Sequence, residues 1–365
     1  MLLIKVEIIE RLRAAKNITD IQGLLAAAYA VELATLPTYL TGAFSVKPGY
    51  NQEALALVQS VAYEEMLHMT LACNLLIAIG GNPDILKTGL SLQFPTPLPL
   101  GVDEGLTVSL RPLNKLQVQE VYMGIERPDT KAILPGETCV HPLSVLKDEQ
   151  GYASIGDFYD AILAKLAEFT AAGNDPFADP RTDRQVDITD WFPPTRCGNG
   201  KVTNLYSAKA VVDTILVQGE GANVGDDPID PTGGFGGSFA HYFKFGEIYN
   251  GRRLIQDSAA ASGWSYSGAP VALDEQGVYD FLPNAAVSDY VPGSAAHVAA
   301  VEFYNVYKRL LASLDRVFNG APDELKSALG VMYELKLVAQ KVAQCPAYPA
   351  EPAGPVAAPP FMLTH

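Results

Sequence analysis

The chain has 365 residues, 48% of them hydrophobic and only 18% charged, enough to bury a sizeable core in one large domain or two modest ones. Its 41 acidic and 26 basic residues leave a formal net charge of −15, a field that repels phosphate backbones and anionic membrane surfaces. Nucleic-acid and polybasic membrane roles are thereby disfavoured, although such acidity is ordinary for a soluble protein and says little about substrate. The 26 prolines and 31 glycines are many for a helical chain and imply long irregular connections.

Taken in order, residues 5–16 form a short amphipathic lead-in helix. Lys5, Glu7 and Glu10 break any signal-peptide core there, and no stretch reaches the roughly 18 apolar residues of a membrane span. A cytoplasmic setting is expected. Asn17–Asp20 (NITD) supplies an N-cap for a helix over 20–41. A turn at Pro48-Gly49 leads to a long helix over 51–80, stopped by Gly80-Gly81-Asn82-Pro83. The short connection makes these two an antiparallel hairpin.

From 84 to 200 the pattern loosens into a long crossover carrying shorter helices at 113–126 and 155–172. Helical periodicity returns at 206–221, and a loop containing GDDPIDPTGGFGG leads to a helix at 237–255. Amphipathic helices at 296–318 and 322–345 precede a proline-rich tail, residues 351–365, expected to lie extended over the surface or to fray. The fold class predicted is mainly α: a four-helix bundle over 1–255 with a long irregular crossover insertion at 84–200, and two extra C-terminal helices within 256–350. There is no internal repeat. Cys73, Cys139, Cys197 and Cys345 contain no Cys-x-x-Cys pair, which removes zinc-ribbon and thioredoxin-like readings. Cys73, in an apolar helical run, reads as a buried thiol in a reducing compartment.

The chemistry concentrates at Glu65-Met66-Leu67-His68. At i and i+3 both side chains leave one face of the helix, where a carboxylate and an imidazole can hold a metal together. Val58, Val61, Glu65, His68, Ala72, Leu75 and Ile79 repeat in steps of three and four, so both ligands lie on the inward stripe. Glu64, a third of a turn away, reads as a surface charge. On the preceding helix Ile21, Leu25, Ala28, Glu32, Thr35 and Tyr39 form a stripe whose one charged member is Glu32. A lone buried carboxylate costs several kcal/mol or takes up a proton, and a tyrosine hydroxyl or a buried arginine would satisfy Glu32 alone. Three inward ligands on one hairpin instead favour a metal.

The second half offers Glu220 in QGEG and His241 and Glu247 in SFAHYFKFGEIYNG. Glu220 and His241 end and begin consecutive helices and should share a height. Glu247, about 240° around from His241, ranks below it. Local hydrogen bonding by His241 and solvent exposure of Glu247 are equally good readings. The glycine- and aspartate-rich loop lacks EF-hand spacing and the P-loop lysine, and is read as a connection. His141, His297 and His365 lack ligand companions. Tyr29, Tyr39, Tyr63 and Tyr122 are at helical spacing and read as core more readily than as a pocket lining.

The runs VELATLPTYL, VAYEEMLHMTLACNLLIAIGGNP, QGEG and AHYFKFGEI resemble the ferritin-like domain of the iminophenyl-pyruvate dimer synthases of violacein biosynthesis, a bacterial secondary-metabolism family. The likeness covers residues 31–83 almost without interruption and 218–249 more briefly. It implies a ferritin-like metal-binding core with Glu32, Glu65, His68, Glu220, and less firmly His241 and Glu247, as ligands. A second Glu-x-x-His, usual in di-iron bundles, is missing, so mono- and dinuclear sites both stay open. The expectation is an iron-dependent oxidoreductase, with another divalent metal as a substitute. It would act on a small-molecule substrate such as an amino-acid-derived imine, without nucleic acid or membrane as partner. A homo-oligomer is compatible with the sequence. The rival readings are a non-catalytic metal-binding protein and a helical interaction module with a vestigial site.

Overall fold

The chain enters through a short strand, β1 (Leu3–Lys5), and helix α1 (Val6–Arg13), rather than one lead-in helix over 5–16. The computed structural model describes residues 3–98, 106–128, 130, 133–138, 152–221, 228–230, 239–351 and 353–365. Helix α2 (Ile18–Ser45) begins where the sequence places its cap. Asn17 Oδ1 accepts the Asp20 N–H at 3.1 Å, and the Asp20 carboxylate accepts the Asn17 N–H at 3.4 Å. It continues to Ser45 with Pro37 inside it, past the expected end near 41.

At 28 residues α2 is long and apolar enough to cross a membrane, contrary to the sequence expectation that no stretch would be. Most of its side chains are buried inside the protein, with Glu32 near its middle, which is how a core helix meets the same criterion. Helix α3 (Gln52–Ala78) returns antiparallel to it. The two ends are tied by Gln22 Nε2, which donates to the Ile79 carbonyl at 2.8 Å. Gly80, at φ +87°, closes α3 in the left-handed conformation that glycine alone adopts without penalty.

Helix α4 (Ile85–Ser91) opens the crossover. Further on, Lys115–Gln117, Val118–Tyr122 and Met123–Ile125 run together as one segment, α5, whose middle is a π turn. Strand β2 (Tyr152–Ser154) pairs antiparallel with β1 and feeds α6 (Ile155–Ala171). Helices α7 (Leu205–Glu220) and α8 (His241–Asn250) complete the bundle. α8 is shorter than the predicted 237–255 because Gly251, at φ +71°, ends it. α3 packs against α2, α7 and α8, while the π turn of α5 lies on α8. Much of the loop between α7 and α8, and His141 and Cys139, fall outside the described residues.

Buried amides hold the irregular crossover to the bundle. Asn74 Nδ2 donates to the Val186 and Gly200 carbonyls, both at 2.9 Å, and its Oδ1 accepts the Val186 N–H at 2.9 Å. Side-chain groups thus satisfy backbone that no sheet or helix serves. Cys73, the residue after Ala72 of the inward stripe, is buried as expected.

Beyond two short paired strands, β3 (Ile255–Gln256) and β4 (Trp264–Ser265), come α9 (Ala295–Phe318) and α10 (Leu325–Val342), a second hairpin. The tail does not fray. Ala357, Ala358, Phe361 and Met362 are buried in the main core, and Tyr290 Oη donates to the Ala358 carbonyl at 2.8 Å. Phe361 packs edge-on against Phe303 and Tyr307 of α9, a contact that a reading of proline content alone overlooks.

Gly42 of α2 lets α5 approach. A Cβ there would stand 2.1 Å from the Tyr122 hydroxyl, which itself donates to the Thr38 carbonyl at 3.0 Å. Gly42→Ala improves helix propensity, but the clash should dominate and lower stability by about 1–3 kcal/mol. Thermal denaturation checks this, and an unchanged or raised midpoint would refute the packing role given to Gly42.

Candidate metal centre

Helix α3 carries three adjacent buried groups, Glu64, Glu65 and His68, into the bundle interior. Glu32 reaches them from α2, His241 from the first turn of α8, and Glu126 from the residue that follows α5. Glu65 Oε1 lies 3.0 Å from His241 Nδ1 and 3.5 Å from His68 Nδ1. Glu126 Oε2 lies 3.2 Å from the same His241 nitrogen, and the Glu32 and Glu65 carboxyls share a hydrogen bond. Ligand atoms of Glu65, His68 and His241 all fall within 4.8 Å of one another.

Both imidazoles are held from behind. His68 Nε2 is 3.0 Å from Gln218 Oε1, and His241 Nε2 is 2.9 Å from Glu64 Oε2. A neutral ring so held carries its proton on Nε2 and presents the Nδ1 lone pair to the cluster. Glu64 is fixed in turn by Lys244 Nζ at 2.6 Å, an ammonium almost wholly buried one turn along α8. Thr35 Oγ1 donates to Glu65 Oε2 at 3.4 Å, and the Tyr39 hydroxyl donates to Glu126 Oε1.

The charges pull against one another. Burial, then the charge of Glu65 and of Glu126, pushes the Glu32 carboxyl well above its usual range. Burial would also raise Glu65, but hydrogen bonds and charge from His241 and His68 outweigh it and hold that carboxyl below the usual range. Burial likewise opposes ionisation of His241. The surrounding carboxylates Glu126, Glu64 and Glu65 overcome it and raise the imidazole well above its ordinary value. Without a metal both shifts favour the protonated forms of Glu32 and His241.

The donor set suits a cation. Two imidazole Nδ1 atoms and the Glu32, Glu65 and Glu126 carboxyls converge, with no thiol among them, a mixed nitrogen and oxygen set that fits iron and other first-row divalent ions. Beside them Glu64 Oε1 is buried with no hydrogen-bond partner among the described residues, an acceptor that a cation or water would satisfy. A cavity of about 50 Å³ adjoins Glu32, Glu65, His68 and Glu126, with Arg127 in its wall. That is room for one or two water-sized molecules.

Four residues predicted from sequence meet here: Glu32, Glu65, His68 and His241. The Glu220 side chain lies outside the described residues. Glu247 is not brought to the cluster. Its Oε2 pairs with Arg253 Nη1 at 2.6 Å and its Oε1 accepts the Leu254 N–H at 2.9 Å, so it braces the end of α8, as its angular offset from His241 requires. Sequence reasoning missed Glu126 and misplaced Glu64, which is buried and not a surface charge. Steps of four through Val118 and Tyr122 lead to Glu126 and were the available signal, weak because the π turn breaks ordinary helical periodicity.

The profile of the ferritin-like family matches residues 25–250 of this chain. A solved structure described as a ferritin-like protein from Caulobacter vibrioides superposes with a TM-score of 0.51 at 23% identity, covering 88% of this chain and 93% of that one. At that identity the likeness speaks for the fold alone. Comparison with curated proteins finds no match. The family match takes in α2, α3, α7 and α8, the helices that carry Glu32, Glu65, His68 and His241, and the chain belongs to the ferritin-like family.

Proposed function

We propose that Glu32, Glu65, His68, Glu126 and His241 hold a transition-metal ion, iron in the first instance, and that the protein is a metal-dependent oxidoreductase. The observation that carries this reading is the orientation of both histidines. Gln218 and Glu64 engage their Nε2 atoms, which aims both Nδ1 atoms at Glu65. Iron would supply redox chemistry that these side chains lack. The protein's own part is to set ligand geometry, to release protons from Glu32 and His241 as the cation enters, and to exclude bulk water from the buried cluster. Amino-acid-derived imines remain the substrate class suggested by the sequence resemblance.

The size of the cavity favours a second reading, metal binding without catalysis. About 50 Å³ beside the carboxylates admits a water-sized molecule and not an aromatic imine. Oxygen uptake by iron-loaded protein with a panel of imines and amines separates the two. Turnover supports the oxidoreductase, whereas full iron content with no uptake leaves a binding protein.

Elemental analysis of protein produced with iron supplied should give about one or two equivalents per chain, lost in Glu65→Ala/His68→Ala. No metal in either protein would refute the centre itself. Because the metal-free cluster holds raised pKa values at Glu32 and His241, cation entry must displace those protons. Apparent affinity should then rise with pH until His241 titrates freely, with release of about two protons per site. Calorimetry in buffers of different ionisation enthalpy measures that number, and none released would contradict the assigned protonation.

Lys244 acts through Glu64 on His241. Lys244→Met should weaken Co²⁺ affinity by about 10–100-fold and alter the visible spectrum of the bound ion. Unchanged affinity and spectrum would show that His241 needs no such support.

A further inference from the structure

The outward faces of α2 and α3, opposite the carboxylate cluster, do not close against the C-terminal hairpin. Between them lies a cavity of about 620 Å³ walled by α2, α3, α9 and α10, with the 190–192 segment and Phe361 of the tail completing it. Helix α10 packs chiefly on α9 and touches α2 only sparsely, which leaves the space open. Gly330 of α10 is among the lining residues, and a Cβ built there would meet no side chain or other element within 4 Å.

The walls are almost entirely apolar. Leu36, Met66, Met69, Leu314, Leu329 and Met332 face one another across the space, and methionine side chains adapt to ligands of varied outline. Water is a poor occupant, since an ordered water needs two to four polar partners. The volume falls in the range of about 300–1,000 Å³ found for small-molecule sites. The charged side chains among the lining residues are Lys326 and Asp190, both exposed to solvent, so they stand at the mouth. With one acidic and one basic residue there, the lining carries no net charge that would select a charged ligand.

We propose that this cavity is a second ligand site, which binds an uncharged hydrophobic small molecule. None of its lining residues belongs to the carboxylate–histidine cluster or to the small cavity beside it. The two sites nevertheless share a wall one helix thick, because Met66 follows Glu65 and Met69 follows His68. The proposal stands whether or not the cluster carries iron. The concave form, with the buried Phe361 among its lining residues, suits a small molecule better than the surface of a folded partner.

Trp191 lines this cavity, and the protein has only two tryptophans, which gives the test a built-in reporter. The neutral probe N-phenyl-1-naphthylamine is titrated into the full-length protein. Saturable, blue-shifted emission is expected, with energy transfer from tryptophan that Trp191→Phe reduces and that Trp264→Phe, outside the cavity, leaves in place. Leu329→Trp, which fills the space, should weaken the probe by about tenfold or more with unchanged circular dichroism. Gly330→Phe, placed where there is open room, serves the same purpose should Leu329→Trp fail to fold. Absence of saturable binding would overturn the proposal, as would equal affinity in a folded filling variant. Sedimentation of the probe-free protein supplies the remaining outcome. A dimer that the filling variant dissociates would assign the cavity to a second copy of the chain and likewise overturn the proposal.

Discussion

Four carboxylates, those of Glu32, Glu64, Glu65 and Glu126, share the interior of one helical bundle, and each is less than a tenth exposed. Buried charges of one sign cannot be tolerated so close together unless cations or protons stand among them. The protein supplies each remedy in a different place. The Lys244 ammonium compensates Glu64, the His241 imidazole lies between Glu64, Glu65 and Glu126, and Glu32 keeps its proton. The last two remedies are provisional, because a divalent cation can displace both protons. Lys244 is permanent, and it holds the carboxylate that orients His241.

The surrounding fold serves that cluster by bringing four chain segments to one level. Helices α2 and α3 do so through a short turn, and α8 through its first residue. Glu126 is delivered by the π turn, whose Tyr122 packs against Tyr39 and Phe245 with ring centroids 5.0 Å away in each case. Tyr39 also lies 5.2 Å from Phe245 in a tilted arrangement and donates its hydroxyl to Glu126, so the aromatic cluster and the carboxylate–histidine cluster are one mechanical unit. Such packing makes the placement of these carboxylates and imidazoles depend on side-chain fit and on polar bonds together.

The α2–α3 hairpin works on both of its faces. One face carries Glu32, Glu65 and His68, and the other forms a wall of the large apolar cavity. A helix buried on both sides loses the clear amphipathic stripe that marks a surface helix, which accounts for the membrane-like length and composition of α2. Glu64 is buried by a further contact, with α8. Next to Glu65 on α3 it would face solvent in a simple bundle, and here it faces α8 and Lys244.

The sequence by itself determined the elements governed by local rules. The Asn17 cap, the Gly80 stop and the stripes through Glu32, Glu65 and His68 depend on backbone sterics and on a 3.6-residue period, which are written in consecutive residues. His241 was legible as the start of a helix near the right height. Tertiary structure alone decided the rest. Glu126 joins the cluster because a π turn shifts its phase, and Glu247 leaves it because Arg253 and the Leu254 N–H capture both of its oxygens. The tail is buried because its alanines and aromatics meet a complementary surface far away in sequence. Contacts of this kind join residues with no local relation, and no period or motif encodes which partner a buried charge will find.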